Sequence, residues 1–209
     1  MNTNDTPSAV LDLATLAAVS DFCSKKETRY YLRGVLIEID ADGVTYVATD
    51  GHRLAARRVS LPKDAAANTL VGQWIIPLEE CKAFRLRRGP AAEAVLALAD
   101  GWLDVTYLGN ARRFRPVDGT FPDWRRIVPS KADGALKLAV NATYLASVYK
   151  LGQALNIGPV VPHWNNGDAC AFTFGDDASA FCLIMPICLK IDTPWAPPAW
   201  LRSTVKEAA

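Results

Sequence analysis

The chain has 209 residues, half of them apolar and 22% charged, which excludes a disordered or collagen-like polymer and allows one large domain or two small ones. Its 23 basic and 22 acidic residues leave a formal net charge of +1, so no overall field advertises a nucleic-acid partner and any such surface must be local. Residues 1–7 lack the basic start and apolar run of a secretory leader and no membrane-length apolar stretch occurs, while five widely spaced cysteines read as buried thiols of a reducing compartment, so the expected location is cytoplasmic.

Along the chain one pattern occurs three times, a helical stretch followed by about three short strands. The first helix is expected over 11–23, with Leu13, Leu16, Ala17 and Phe22 available to one face. Strands follow at 30–39, 44–49 and 54–61, the first two meeting at the hairpin signal Asp40-Ala41-Asp42-Gly43.

The second unit opens with the strand Gln73-Trp74-Ile75-Ile76, and Pro77 sits at a helix start, where its missing N–H costs nothing. That helix is expected to reach Arg88 and stop at Gly89-Pro90, before strands at 94–99, 103–108 and 112–117. In the third unit a strand at 136–140 precedes Asn141, a cap for a helix through 155, and strands follow at 160–164, 169–174 and 180–187. The breaker-rich stretch 128–134 reads as a joint, and 193–200, with its three prolines, reads as a tail whose two tryptophans pack on something. The fold class is α+β, with antiparallel sheets on one side and three helices on the other.

Little in the sequence suggests reaction chemistry. His52 and His163 stand without a second histidine or cysteine at ligand spacing, and Cys170, Cys182 and Cys188 fit no zinc pattern. The glycines are isolated in turns, with no phosphate-cradling loop. No catalytic site, metal or cofactor is expected. Two segments are richer. Thr49-Asp50-Gly51-His52-Arg53-Leu54-Ala55 would project donors from a rigid strand edge, and Phe121-Pro122-Asp123-Trp124-Arg125-Arg126 combines fixed backbone, an aromatic and an arginine pair.

These two segments, with Arg29-Tyr30-Tyr31-Leu32-Arg33-Gly34 before them and Met185-Pro186 after, resemble the bacterial replicative sliding clamp, the beta subunit of DNA polymerase III, in order and spacing. The resemblance implies a DNA-clamp-like fold. Residues 8–129 would be one complete clamp-like domain, 130–190 half of another, 1–7 a disordered start and 191–209 a Pro/Trp-rich tail. It also implies a non-enzymatic replication or repair factor that contacts duplex DNA weakly and docks polymerases or other motif-bearing partners. The alternative is a decoy or regulator that keeps the docking pocket without encircling DNA.

Carried over by motif, the peptide pocket comprises Leu32, Thr49, Gly51, His52, Arg53 and Leu54, completed by Pro122, Arg126, Ile127, Leu183, Met185, Pro186 and Ile187. An apolar floor with a few fixed donors suits an extended peptide with apolar anchors. For DNA, Lys82, Arg85 and Arg88 lie at helical spacing, and Lys25, Lys26, Arg29 and Tyr30 follow the first helix. The family's usual Pro-Arg-Lys at the second helix is Pro77-Leu78-Glu79 here, which removes positive charge from that surface. The third unit, lacking an internal partner for its helix and strands, is expected to pair with a second copy in a homodimer, arc or ring.

Overall fold

The computed structural model describes residues 6–25, 28–61, 70–84, 93–128, 139–163 and 169–187. Among them are eleven strands and three α-helices, distributed as the threefold pattern requires. The first unit is β1 (Ser8–Asp12), α1 (Leu13–Val19), β2 (Gly34–Ile39), β3 (Gly43–Thr49) and β4 (Arg53–Ser60). The second is β5 (Gly72–Pro77), α2 (Leu78–Ala83), β6 (Glu93–Ala99), β7 (Trp102–Tyr107) and β8 (Asn110–Phe114). The third is α3 (Ala142–Leu155), β9 (Val160–His163), β10 (Cys170–Phe174) and β11 (Asp177–Ile184).

The start of the chain corrects the sequence reading. Residues 8–12 form a strand, and α1 begins only at Leu13, because the Asp12 carboxylate accepts from the N–H groups of Ala14 (2.9 Å) and Thr15 (3.1 Å) and fixes the helix start there. Ser20–Phe22 continues as a 3₁₀ turn, and a second 3₁₀ turn takes Tyr30–Leu32, so β2 starts at Gly34. The expected extension of α2 to Arg88, the strand at 136–138 and the tail lie outside the described residues.

The strands form two antiparallel sheets. One runs β1-β6-β7-β8, the other β5-β2-β3-β4-β11-β10-β9. The first two units exchange their leading strands: β1 pairs with β6, Val10 opposite Val95, and β5 pairs with β2, Ile75 opposite Leu36. The third unit extends the longer sheet, β11 lying antiparallel to β4 from Ala180 opposite Arg57 to Ile184 opposite Arg53. That pairing, with α3 packed on α1, overturns the expectation that the third unit finds no partner within its own chain.

One apolar core joins the inner faces of both sheets to the helices. It takes Leu11, Leu96 and Leu103 from the shorter sheet, Val35, Ile37 and Tyr46 from the longer one, and Leu16, Cys81, Val148 and Leu151 from the helices. A second cluster lies on the opposite face of the longer sheet, beneath the segment that follows β8. Among the described residues no helix is long and apolar enough to cross a membrane.

Candidate peptide-docking site

The second cluster is built from alternate residues of neighbouring strands. Leu36 of β2, Val47 of β3, Leu54 and Ala56 of β4 and Leu183 of β11 share one face because side chains two apart in a strand point the same way. Leu32, Phe121 and Trp124 join them. Segment 115–128 crosses this face, held at one end by the Val117 N–H donating to the Ile75 carbonyl (2.9 Å). Towards its other end Arg125 holds Glu38 with two hydrogen bonds, at 2.7 and 3.0 Å. Trp124 packs on Phe181 of β11, ring centres 5.8 Å apart, so the crossing segment touches both sides of the β4–β11 junction.

At the end of the junction the chain turns through Thr49–Arg53. Asp50 Oδ1 accepts from the N–H groups of His52 (3.0 Å) and Arg53 (3.1 Å), and Thr49 Oγ1 accepts from Gly51 N–H (3.0 Å) while donating to the Arg53 carbonyl (2.8 Å). Gly51 adopts φ +87°, a backbone conformation that favours glycine, and the end of the flexible Arg29 side chain lies beside it. Met185 N–H donates to the His52 carbonyl (2.9 Å), extending the β4–β11 ladder past its last strand pair.

The residues expected to form one pocket therefore divide. Leu32, Leu54 and Leu183 are buried floor, and Thr49 is a buried brace of the turn. Pro122, Arg126, Ile127, Met185 and Ile187 are exposed and Pro186 half-buried, with Ile127, Met185 and Ile187 more than two-fifths exposed despite their apolar side chains. Arg53 turns the other way: its guanidinium lies over the rings of Phe22 (4.7 Å) and Tyr144 (5.4 Å) and pairs with Asp50 at 3.0 Å. The His52 ring stacks on the same Tyr144, 6.3 Å between centres. These two residues clamp α3 to the first unit at the junction. Phe121, Trp124 and Phe181 were not among the residues expected in the site; the alternation of β11 around Leu183 is the signal that points to Phe181. The indole N–H of Trp124 is buried with no acceptor among the described residues.

The candidate DNA residues are also dispersed. Lys25, Arg29, Tyr30 and Lys82 are exposed, and Lys26, Arg85 and Arg88 lie outside the described residues. Arg29 reaches the Gly51 turn and Tyr30 lies against Gly119, whereas Lys82 sits on α2, 3.1 Å from Glu79. Arg112 is 2.7 Å from Glu80 of the same helix. Among the described residues no group of acidic, cysteine or histidine side chains could hold a metal ion.

Repeated helix-plus-strands units, joined by a sheet that runs unbroken across a junction, define a sliding-clamp type of architecture. Solved structures agree on the fold. A DNA polymerase sliding clamp from Pseudomonas aeruginosa matches with a TM-score of 0.71 at 19% identity, over 90% of this chain and 69% of that one. DNA polymerase III subunit beta from Borrelia burgdorferi, solved with a natural product, matches at 0.73 and 13% identity, over 90% and 65%. In sequence, the beta sliding clamp of Vibrio cholerae is 33% identical over 115 residues, 54% of this chain but 30% of that relative. That of Pseudomonas putida is 31% identical over 111 residues, 53% and 29%. The matched stretch thus spans about three-tenths of these relatives' length. The profile of the DNA polymerase III beta subunit central domain matches residues 13–123, and the chain belongs to that family.

Proposed function

We propose that this protein is a non-enzymatic accessory factor of DNA replication or repair that receives a short linear segment of a polymerase or similar partner at the β4–β11 junction. The observation that carries this reading is the juxtaposition of a buried floor (Leu32, Leu54, Leu183, Trp124) with exposed apolar side chains at its margin (Ile127, Met185, Ile187). An extended peptide could seat one or two apolar anchors against such a floor, its backbone hydrogen-bonding at the exposed margin. Affinity for such short motifs is on the order of micromolar.

The test is fluorescence anisotropy with a labelled clamp-binding peptide. Ile127→Glu and Met185→Glu, each placing a charge beside the floor, should weaken binding at least about tenfold. Arg126→Ala should weaken it about fivefold, a loss of about 1 kcal/mol. Unchanged affinity across all three variants would remove the docking assignment.

A second reading, a regulator that keeps the pocket but does not encircle DNA, is favoured by α2. Its Glu79 and Glu80 pair with Lys82 and Arg112, tying up cations that would otherwise face phosphates. Retention on nicked circular DNA with loss on linearisation supports an encircling factor, alone or with further copies, whereas peptide binding without such retention supports the regulator. In either case binding to duplex should be weak, indifferent to sequence and steeply salt-dependent, since phosphate contacts from Lys and Arg are what the surface offers.

A further inference from the structure

Ile187, the last of the described residues, lies at the margin of the proposed docking floor. Its N–H donates to the Ala139 carbonyl at 2.7 Å and that of Met185 to the His52 carbonyl at 2.9 Å, so the path of 185–187 is pinned at both ends. Leu183, in the floor, comes two residues before Met185 and lies opposite Leu54. Met185 and Ile187 are 43% and 47% exposed, and with Ile127, at 44%, they form an apolar margin open to a covering segment.

The sequence that follows has the chemistry to cover it. Residues 193–200 read Thr-Pro-Trp-Ala-Pro-Pro-Ala-Trp, two tryptophans among three prolines. Proline restricts the backbone in advance, so less entropy is lost when such a segment settles on a surface, and each indole brings a large apolar area. Trp195 follows Ile187 by eight residues, roughly 26 Å of extended chain, enough to double back over Leu183 and Leu54. A tethered segment is also present at an effective concentration on the order of millimolar. Leu145 and Tyr149 on α3 are exposed apolar side chains too. The margin is favoured over them because two of its three side chains directly precede the segment, which needs no further path across the surface to reach them.

We propose that residues 188–209 fold back on the margin of Ile127, Met185 and Ile187, Trp195 against it, and compete with partner segments for the floor. The inference rests on the docking function proposed above and adds its regulation. An intrinsic affinity on the order of 0.1 mM, set against a millimolar effective concentration, closes the site about nine-tenths of the time and weakens partner binding about tenfold.

The chain has two methionines, Met1 and Met185. Mild peroxide oxidation followed by mass spectrometry therefore reads the margin directly, with Met1 as internal reference. In the full chain Met185 should oxidise about tenfold more slowly than in Trp195→Ala/Trp200→Ala with an unchanged circular dichroism spectrum. The labelled clamp-binding peptide should bind that variant about tenfold more tightly. Trp195→Ala alone shifts both readings in the same direction should the double variant misfold. Equal Met185 rates in the two chains overturn the proposal whatever the peptide does, and are the result expected of a segment lying on α3 instead. Protection that grows with chain concentration marks a second copy as the cover and overturns it as well. Release of Met185 without a gain in peptide affinity overturns the competition. Release with the peptide bound by neither chain supports the cover and overturns the docking function instead.

Discussion

At Gly51 the demand comes from the backbone. The turn needs a positive φ, while the Arg29 guanidinium beside it ends a flexible side chain that can move aside. Gly51→Ala should cost about 1 kcal/mol, by backbone strain. Thermal unfolding would register this as a drop of several degrees, and an unchanged midpoint would mean that the turn relaxes freely. Asp50 organises the same turn by accepting two backbone N–H groups and pairing with Arg53, whose guanidinium then covers Phe22 and Tyr144. One carboxylate thereby fixes both the turn beside the proposed docking floor and the seat of α3. In this Thr-Asp-Gly-His-Arg run, the residue types that suggested donors for a ligand are spent largely on shaping backbone.

Helix starts show the same economy at the scale of elements. Asp12 caps α1 with two backbone acceptances, and the Thr15 hydroxyl donates to its other oxygen at 3.0 Å. Asp12→Ala should therefore destabilise the protein by about 1 kcal/mol, while Asp12→Asn, which keeps an acceptor, should recover most of that in chemical denaturation. Equal losses for the two would show that charge rather than the cap matters. How much of each element was legible in the sequence depended on such local signals. Helix α3 was read almost to the residue because Asn141 caps it, accepting from Thr143 N–H at 2.9 Å, and Asn156 ends it in a left-handed conformation. Strand β1 was missed because Leu11 fits a helical stripe as well as a strand, and only its pairing with β6 decides between them. For the candidate site, motif resemblance singles out Leu32, Leu54 and Leu183, which the structure puts in one apolar cluster. The turning of Arg53 towards α3 was not legible, since which face a strand-end residue takes is set by a partner strand more than a hundred residues away.

Across the whole molecule, buried thiols mark the two ends of the core. Cys23 and Cys81 lie in the first two units and Cys170 and Cys182 in the third, all four buried. Burial raises each thiol above its usual range, Cys81 to about 12. Alkylation therefore requires opening. Among the described residues the third unit adds to the first two through β4, α1, the Thr49–Arg53 turn and Trp124 and ends in the edge strand β9, so Cys170 and Cys182 should become reactive at lower denaturant than Cys23 and Cys81. Simultaneous reaction of all four, followed by mass spectrometry, would show instead that the core opens as one.

The pairing of β11 with β4 also governs how the chain comes to be folded. The Arg57–Asp177 contact across it closes a separation of 120 residues. Strands so distant meet late, because the entropy of closing a long loop must be met before any hydrogen bond rewards it. During synthesis the first two units can complete their exchange while β4 still waits as an open edge, apolar on both faces through Leu54, Ala55 and Ala56. Until the last strand emerges, that edge is a template for any other unpaired strand, and the vulnerable interval of this protein is set by the time the ribosome takes to travel from residue 60 to residue 184.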